Sequence, residues 1–241
     1  MKIKQIANDL RRRAGALSRR PAIGGVDLGD LDTIRPISNN WGFDRGLPID
    51  RYYIELFLSH NKTDVQGHVL EVADNRYTKR YGGDRVGKSD ILYHGTDHPE
   101  ATYSADLTDA ASIPSDSFDC VICTQTLQFI FDMPAAIATI HRILRPGGVA
   151  LVTVPSVSRI AAPEMALYGD YWRLTTASAQ RLFEDNFGGT VTTSSFGNVY
   201  AAAAFLHGLA IEDVNRRKLD HNDPNFQVLV SVRAIKDATV S

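Results

Sequence analysis

The chain has 241 residues, 44% apolar and 22% charged, with a formal net charge of −2. That balance suits one soluble globular domain with an N-terminal appendage and excludes disordered and fibrous classes. The longest strictly apolar run, Val199 to Leu206, is far short of the roughly 20 residues that span a bilayer, and no apolar signal-peptide core follows the start. The expectation is a cytoplasmic protein without a transmembrane segment.

Taken in chain order, residues 1–20 carry seven Lys or Arg against a single Asp, while the remainder is acidic. This reads as a solvated basic helix rather than a nucleic-acid surface. Residues 21–50 hold Pro21, Gly24, Gly25, Gly29, Pro36, Gly42, Gly46 and Pro48, so an irregular arm is predicted. Residues 1–48 are accordingly assigned to the helix and arm, and 49–241 to the main domain. A helix over Ile49 to His60 follows, with Tyr53, Ile54, Phe57 and Leu58 on its apolar side and Asp50 in its first turn, where a carboxylate suits the helix dipole.

From Gly67 onward, short apolar runs alternate with helical patterns. Strands are predicted at 68–74, 101–106, 118–124 and 149–154, and strand–helix alternation implies a doubly wound, mostly parallel sheet with helices on its faces. Asp132 caps a helix with Pro134 in its first turn and Pro146-Gly147-Gly148 as its stop. Beyond it the pattern predicts a helix over Thr176 to Phe187, a strand near Thr190 to Ser195, a long helical insertion at about 198–218 and a final antiparallel strand over Phe226 to Ala234. Cys120-Val-Ile-Cys123 lies inside a strand, where positions three apart face opposite ways, so the two sulfurs are core thiols rather than a redox or metal pair.

In open parallel sheets ligands sit beyond the carboxyl ends of the strands. Here those ends bear Glu71–Asp74, Asp106, Thr124–Gln128 and the segment after Pro155. Carboxylates there suit ribose hydroxyls or amino groups and disfavour a bare pyrophosphate. Neither G-x-G-x-x-G nor G-x-x-x-x-G-K-[ST] follows the first strand, which argues against dinucleotide and P-loop chemistry.

Val69-Leu-Glu-Val, Asp106-Leu107, Ser117-Phe-Asp-Cys-Val-Ile-Cys and Leu144-Arg-Pro-Gly-Gly-Val-Ala-Leu-Val-Thr-Val-Pro stand in the order and spacing of class I S-adenosylmethionine-dependent methyltransferases, which the chain resembles over about residues 50–195. Within that class it is similar to the type 11 small-molecule group, and the stretch Trp41-Gly-Phe-Asp-Arg-Gly-Leu-Pro-Ile-Asp-Arg-Tyr-Tyr-Ile-Glu resembles the lead-in of a glycan-associated subgroup. The family's E-x-G-x-G-x-G reads here Glu71-Val-Ala-Asp-Asn-Arg-Tyr77, without any of the three glycines. Asp74 or Asn75 is expected to take the left-handed backbone instead.

The resemblance implies S-adenosylmethionine as cofactor. Glu71, Asp90 and Asp106 would hold its nucleoside half, with Leu107 beside the adenine and Asp74 receiving the ammonium. Thr124, Gln125 and Gln128 would floor the methionine and acceptor pocket, and Tyr52 would form a lid. The His that many relatives carry after strand four is replaced by Gln128 and Phe129, so candidate bases are Asp170, His207 and His221. Tyr171 and Trp172 offer an acceptor the apolar faces and hydrogen bonds that a saccharide uses.

No metal site is assigned, although Asp220, His221 and Asp223 form a weak candidate set through which Mg2+ would hold a sugar diol. The expected reaction is O-methylation of a sugar hydroxyl on a glycan, glycolipid or glycoside. A quinone, phenol or amine acceptor, a non-catalytic scaffold and homo-oligomerisation stay open.

Overall fold

The computed structural model describes residues 21–95, 98–188 and 190–237. The basic segment 1–20 lies outside them. The chain divides between Pro36 and Ile37 into two compact units. In the first, the described residues hold one short 3-10 turn, Gly29–Leu31. Residues 37–48, expected in the arm, belong instead to the second unit. There the amides of Ile37 and Ser38 donate to the carbonyl of His207, and Trp41 lies against Phe205 at 5.6 Å.

The second unit is built on a seven-stranded sheet: β1 Gly67–Val72, β2 Val86–Tyr93, β3 Tyr103–Ser104, β4 Phe118–Thr124, β5 Leu144–Pro155, β6 Val191–Phe196 and β7 Leu229–Ile235. Their spatial order is β3-β2-β1-β4-β5-β7-β6. The first five run parallel, and β7 pairs antiparallel with both β5 and β6. This is the doubly wound, mostly parallel architecture that the alternating pattern predicted, with its reversed last strand. The 101–106 run contributes only two strand residues, and the last strand begins at Leu229 rather than Phe226.

Two apolar layers sandwich the sheet, because successive strand side chains face opposite ways. Leu70, Val121, Cys123 and Val152 meet α2, Met133–Ile143, and α4, Thr176–Phe187, on one face. Val69, Cys120, Ile122 and Leu151 meet α1, Ile49–His60, and α5, Val199–Leu206, on the other. The two cysteines are thus free, buried and on opposite faces, with burial pushing the Cys123 thiol up to about 12. α2 starts as predicted, with the Asp132 carboxylate accepting from the Ala135 amide at 3.1 Å. His141 packs on Phe187 at 5.0 Å, on the face expected for a structural histidine.

The long helix expected over 198–218 is three pieces: α5, a 3-10 turn at Ile211–Asp213, and the short α6, Arg216–Leu219. Gly208 breaks it. This residue is left-handed (φ +68°), and a Cβ there would fall 2.2 Å from the Ser38 carbonyl oxygen, so residues 37–48 close over the helix end only because a glycine stands there. One further short helix, α3, Ala162–Leu167, follows β5. No helix among the described residues is long and apolar enough to cross a membrane.

Candidate active site

Beyond the carboxyl ends of β4 and β5 lies a cavity of about 160 Å³. Its aromatic walls are Trp41, Phe43, Phe129 and Phe205. Trp41 is held in the left-handed region (φ +57°), and the Arg159 guanidinium stacks over its ring at 4.2 Å. Strain of this kind in a bulky residue survives only where surrounding packing enforces it, and it gathers at ligand sites.

The polar lining comes from three segments. α1 supplies Asp50 and Arg51 from its first turn, the loop after β4 supplies Gln125 and Gln128, and the segment after β5 supplies Arg159, Glu164, Asp170 and Arg173. Four of these residues enclose a polar atom with no hydrogen-bond partner among the described residues: Asp50 Oδ1, Gln128 Oε1, Glu164 Oε2 and Arg173 Nε. Gln128 is only 4% exposed. Buried polar atoms are nearly always paired in native proteins, so four orphans around one cavity mark a place where a ligand completes the bonding.

Asp170 reaches this cavity but is fully committed. The Arg173 guanidinium grips both its oxygens at 2.5 and 2.8 Å, and the Ala161 amide donates to Oδ2 at 2.9 Å. Burial opposes its charge, yet the Arg173 and Ala161 bonds hold its carboxyl below the usual range. An acid with so little affinity for a proton is a poor general base. Asp170 therefore corrects to an anchor that ties the segment 159–173 together, since Arg173 also donates to the Arg159 carbonyl at 2.7 Å.

His207 ends α5 and does not line the cavity; its carbonyl serves the Ile37 and Ser38 amides. His221 is exposed in the tail, its carbonyl accepting from Asn198. Neither is placed to be a base here. Tyr52 is buried on α1 with its hydroxyl on Asp220, and Arg216 lies 5.1 Å over its ring. It is packing rather than a lid. Among the described residues no three His, Cys, Asp or Glu side chains converge on a metal position. Within the weak set for Mg2+, Asp220 bonds Tyr52, Asp223 caps its own turn through Asn225, and His221 stays exposed. Tyr171 and Trp172 form an exposed cluster with Phe131, at 5.3 and 6.0 Å, outside the cavity lining.

The other half of the carboxyl edge lies over β1 to β3. Glu71 is buried, accepting from the Thr78 amide and hydroxyl, both at 2.7 Å, and from the Tyr77 amide at 3.2 Å. Burial pushes its carboxyl up to about 7 against these bonds. Ala73, not Asp74 or Asn75, takes the left-handed backbone (φ +78°). This corrects the expectation, and it keeps a turn at the first position where the family pattern has glycine. Asp74 pairs with Arg76 at 2.7 Å.

Asp90 sits inside β2 rather than at its end, buried between His68 at 2.6 Å and Lys88 at 2.9 Å. Both bonds fall on Oδ2. Asp106 turns one oxygen, Oδ1, to the Thr108 amide and hydroxyl at 2.8 Å, with Leu107 buried beside it. Thr124 closes β4, and Gln125 after it is left-handed (φ +50°), its amide on the Thr153 carbonyl.

Of the predicted site residues, the cavity gathers Gln125, Gln128 and Asp170. It adds Trp41, Asp50, Arg51, Arg159, Glu164 and Arg173, none of which was expected at the site. The Trp41–Glu55 stretch was the available signal for the first three.

Residues 62–152 match the methyltransferase domain family. No curated protein matches the sequence. Among solved structures the chain is similar to an S-adenosylmethionine-dependent methyltransferase from Archaeoglobus fulgidus, at 10% identity and a TM-score of 0.52, covering 77% of this chain and 94% of that one. It is similar to the [4+2]-cyclase SpnF, at 15% identity and a TM-score of 0.51 over 86% and 88%. It is also similar to the Haloferax volcanii methyltransferase solved with the activator Trm112, at 14% identity and a TM-score of 0.50 over 78% and 93%. A fold shared with a cyclase leaves the reaction to the site itself. The chain shares the class I methyltransferase fold, and residues 62–152 match the methyltransferase domain family.

Proposed function

We propose that the protein methylates a hydroxyl of a saccharide, as a glycan, glycolipid or glycoside, with S-adenosylmethionine as methyl donor. One observation carries this reading: the cavity over β4 and β5 combines four aromatic walls with carboxylate and amide oxygens that lack donors. Sugar rings present apolar faces to aromatics and hydroxyl donors to acceptors, so one ligand class meets both demands.

The residues present fit the donor at several points. Ala73 keeps the turn after β1, Gln125 shapes the end of β4, and Asp106 has an oxygen, Oδ2, with no protein bond among the described residues, beside Leu107. These would hold it; Asp90 lies inside β2 rather than at its end. When bound, S-adenosylmethionine supplies a methyl group already activated on sulfur, so the protein's tasks are alignment, exclusion of water and handling of a proton. Trp41, Phe43 and Phe129 exclude water, Gln128 and Glu164 orient hydroxyls, and the Asp170–Arg173 pair fixes the wall that carries Glu164.

Calorimetric titration with S-adenosylhomocysteine, followed by methyl transfer to panels of saccharides, phenols and amines, tests the reading. Binding plus transfer to saccharides is expected. Transfer only to phenols or amines would remove the saccharide assignment, and absence of binding at millimolar ligand would remove the donor. An amine is the second reading, because unpaired carboxylate oxygens also suit an ammonium group.

A further inference from the structure

We propose that Asp50 is the group that takes the proton from the acceptor hydroxyl; the proposal rests on the saccharide reading above. Methyl transfer to a hydroxyl needs a proton acceptor within hydrogen-bond reach of the oxygen that faces the donor. The cavity offers three carboxylates. Asp170 is excluded by its bonds to Arg173 and Ala161. Among the described residues, the two enclosed carboxylate oxygens of the cavity that lack partners are Asp50 Oδ1 and Glu164 Oε2.

Position separates these two. Glu164 belongs to α3, on the segment after β5. Asp50 belongs to the first turn of α1, and the next residue, Arg51, lines the cavity and also donates to the Tyr77 hydroxyl at 3.3 Å, at the end of the loop after β1. The first turn of α1 therefore joins the acceptor cavity to the strand ends where the donor binds in this fold. A proton acceptor is useful at that junction, and the segment carrying Glu164 has no comparable bond to the loop after β1 among the described residues.

The local electrostatics are consistent with the role. Burial raises the proton affinity of Asp50, and Arg51 and the first helical amides only partly offset it. The other charges lining the cavity are Arg159, Glu164 and the mutually neutralised Asp170–Arg173 pair. A carboxylate with raised proton affinity is a better base near neutral pH than an ordinary one. In the step itself the hydroxyl proton passes to Asp50 Oδ1, the oxygen's electron pair bonds the methyl carbon, and the sulfonium sulfur keeps the pair of the breaking carbon–sulfur bond. Asp50 then returns the proton to water.

The test compares wild type, Asp50→Asn and Glu164→Gln by S-adenosylhomocysteine calorimetry, steady-state kinetics against pH, and 13C titration of the aspartate side-chain carboxyls. Expected for Asp50→Asn are nucleoside binding within about threefold of wild type, a kcat lower by about 10²- to 10³-fold, and loss of the acidic limb of the rate profile. The resonance missing from this variant should titrate above the ordinary aspartate range in wild type. Glu164→Gln should raise KM and leave kcat within about tenfold. A kcat retained in Asp50→Asn, or an Asp50 resonance titrating at or below the ordinary range, overturns the proposal. Wild-type inactivity toward every saccharide overturns the acceptor reading instead, and the carboxyl titration, which needs no turnover, then decides Asp50 separately.

Discussion

Over β1 and β2, the carboxylates expected to meet a ligand are taken up by the protein itself: Glu71 by Thr78 and Tyr77, Asp74 by Arg76, Asp90 by His68 and Lys88. Over β4 and β5, Asp50, Gln128, Glu164 and Arg173 each keep an enclosed polar atom without a partner. Both halves lie along one sheet edge and are similarly rich in charge. What differs is commitment. A polar group that is satisfied internally shapes a loop, whereas one left unsatisfied behind aromatic walls is stable only with something bound. Asp170 and Asp50 show the same contrast within one cavity, where burial raises the pKa of Asp50 while the bonds from Arg173 and Ala161 outweigh burial and lower that of Asp170.

The largest effect should come from breaking the committed group inside the cavity. Asp170→Ala strands the Arg173 guanidinium, which is about three-quarters buried, and should cost about 2–4 kcal/mol in urea unfolding. A loss below about 1 kcal/mol would mean the pair does not hold the 159–173 segment.

Next comes Glu71. Glu71→Gln turns one of the two acceptor oxygens into an amide nitrogen that faces a backbone N–H, and should cost about 1–3 kcal/mol. The pH dependence has a definite sign: the folded-state value is raised from 4.5 to about 7, so the folded protein binds this proton more tightly than the unfolded chain. Its contribution is complete below about 4.5 and is lost as pH rises through about 7. Urea midpoints of wild type should fall across that window, and those of Glu71→Gln should fall less.

Ala73→Gly should sharpen the comparison from the other side. It removes a Cβ from a left-handed residue and should stabilise by about 0.5–1 kcal/mol, less the added entropy of the unfolded chain. Thermal unfolding would show it, and a destabilised variant would mean that Ala73 is not strained. The smallest stability change belongs to the uncommitted group. Gln128→Ala should shift stability by no more than about 1 kcal/mol, because its Oε1 makes no bond and only the Nε2 bond to Gln125 at 3.3 Å is lost, while weakening acceptor binding severalfold in a saccharide titration.

Much of the fold was legible. The helix 49–60, the strand 118–124, the Asp132 cap and the Gly188 stop after Phe187 (φ +61°) all follow from local periodicity and capping. The reversal at β7 was legible from the interrupted pattern at the end of the chain. The break in 198–218 was not, because Gly208 is required by the Ser38 backbone, a neighbour some 170 residues earlier in the chain.

The site was legible mainly as an address. Strand ends can be located from sequence, so Gln125, Gln128 and Asp170 were named in advance. Which carboxylate is spent on a neighbour and which is free depends on partners such as Arg173, His68 and Thr78 coming to within 3 Å.

Sequence alone thus determined the alternation of strands and helices, the parallel sheet and the edge of it where ligands are expected, since these depend on short-range pattern and on the geometry of the chain. Tertiary structure alone decided that Asp90 is interior, that Asp170 is an anchor, and that Trp41, Asp50 and Glu164 face one cavity. Hydrogen-bond commitment is a property of pairs, and the pairs form only when segments distant in sequence pack together.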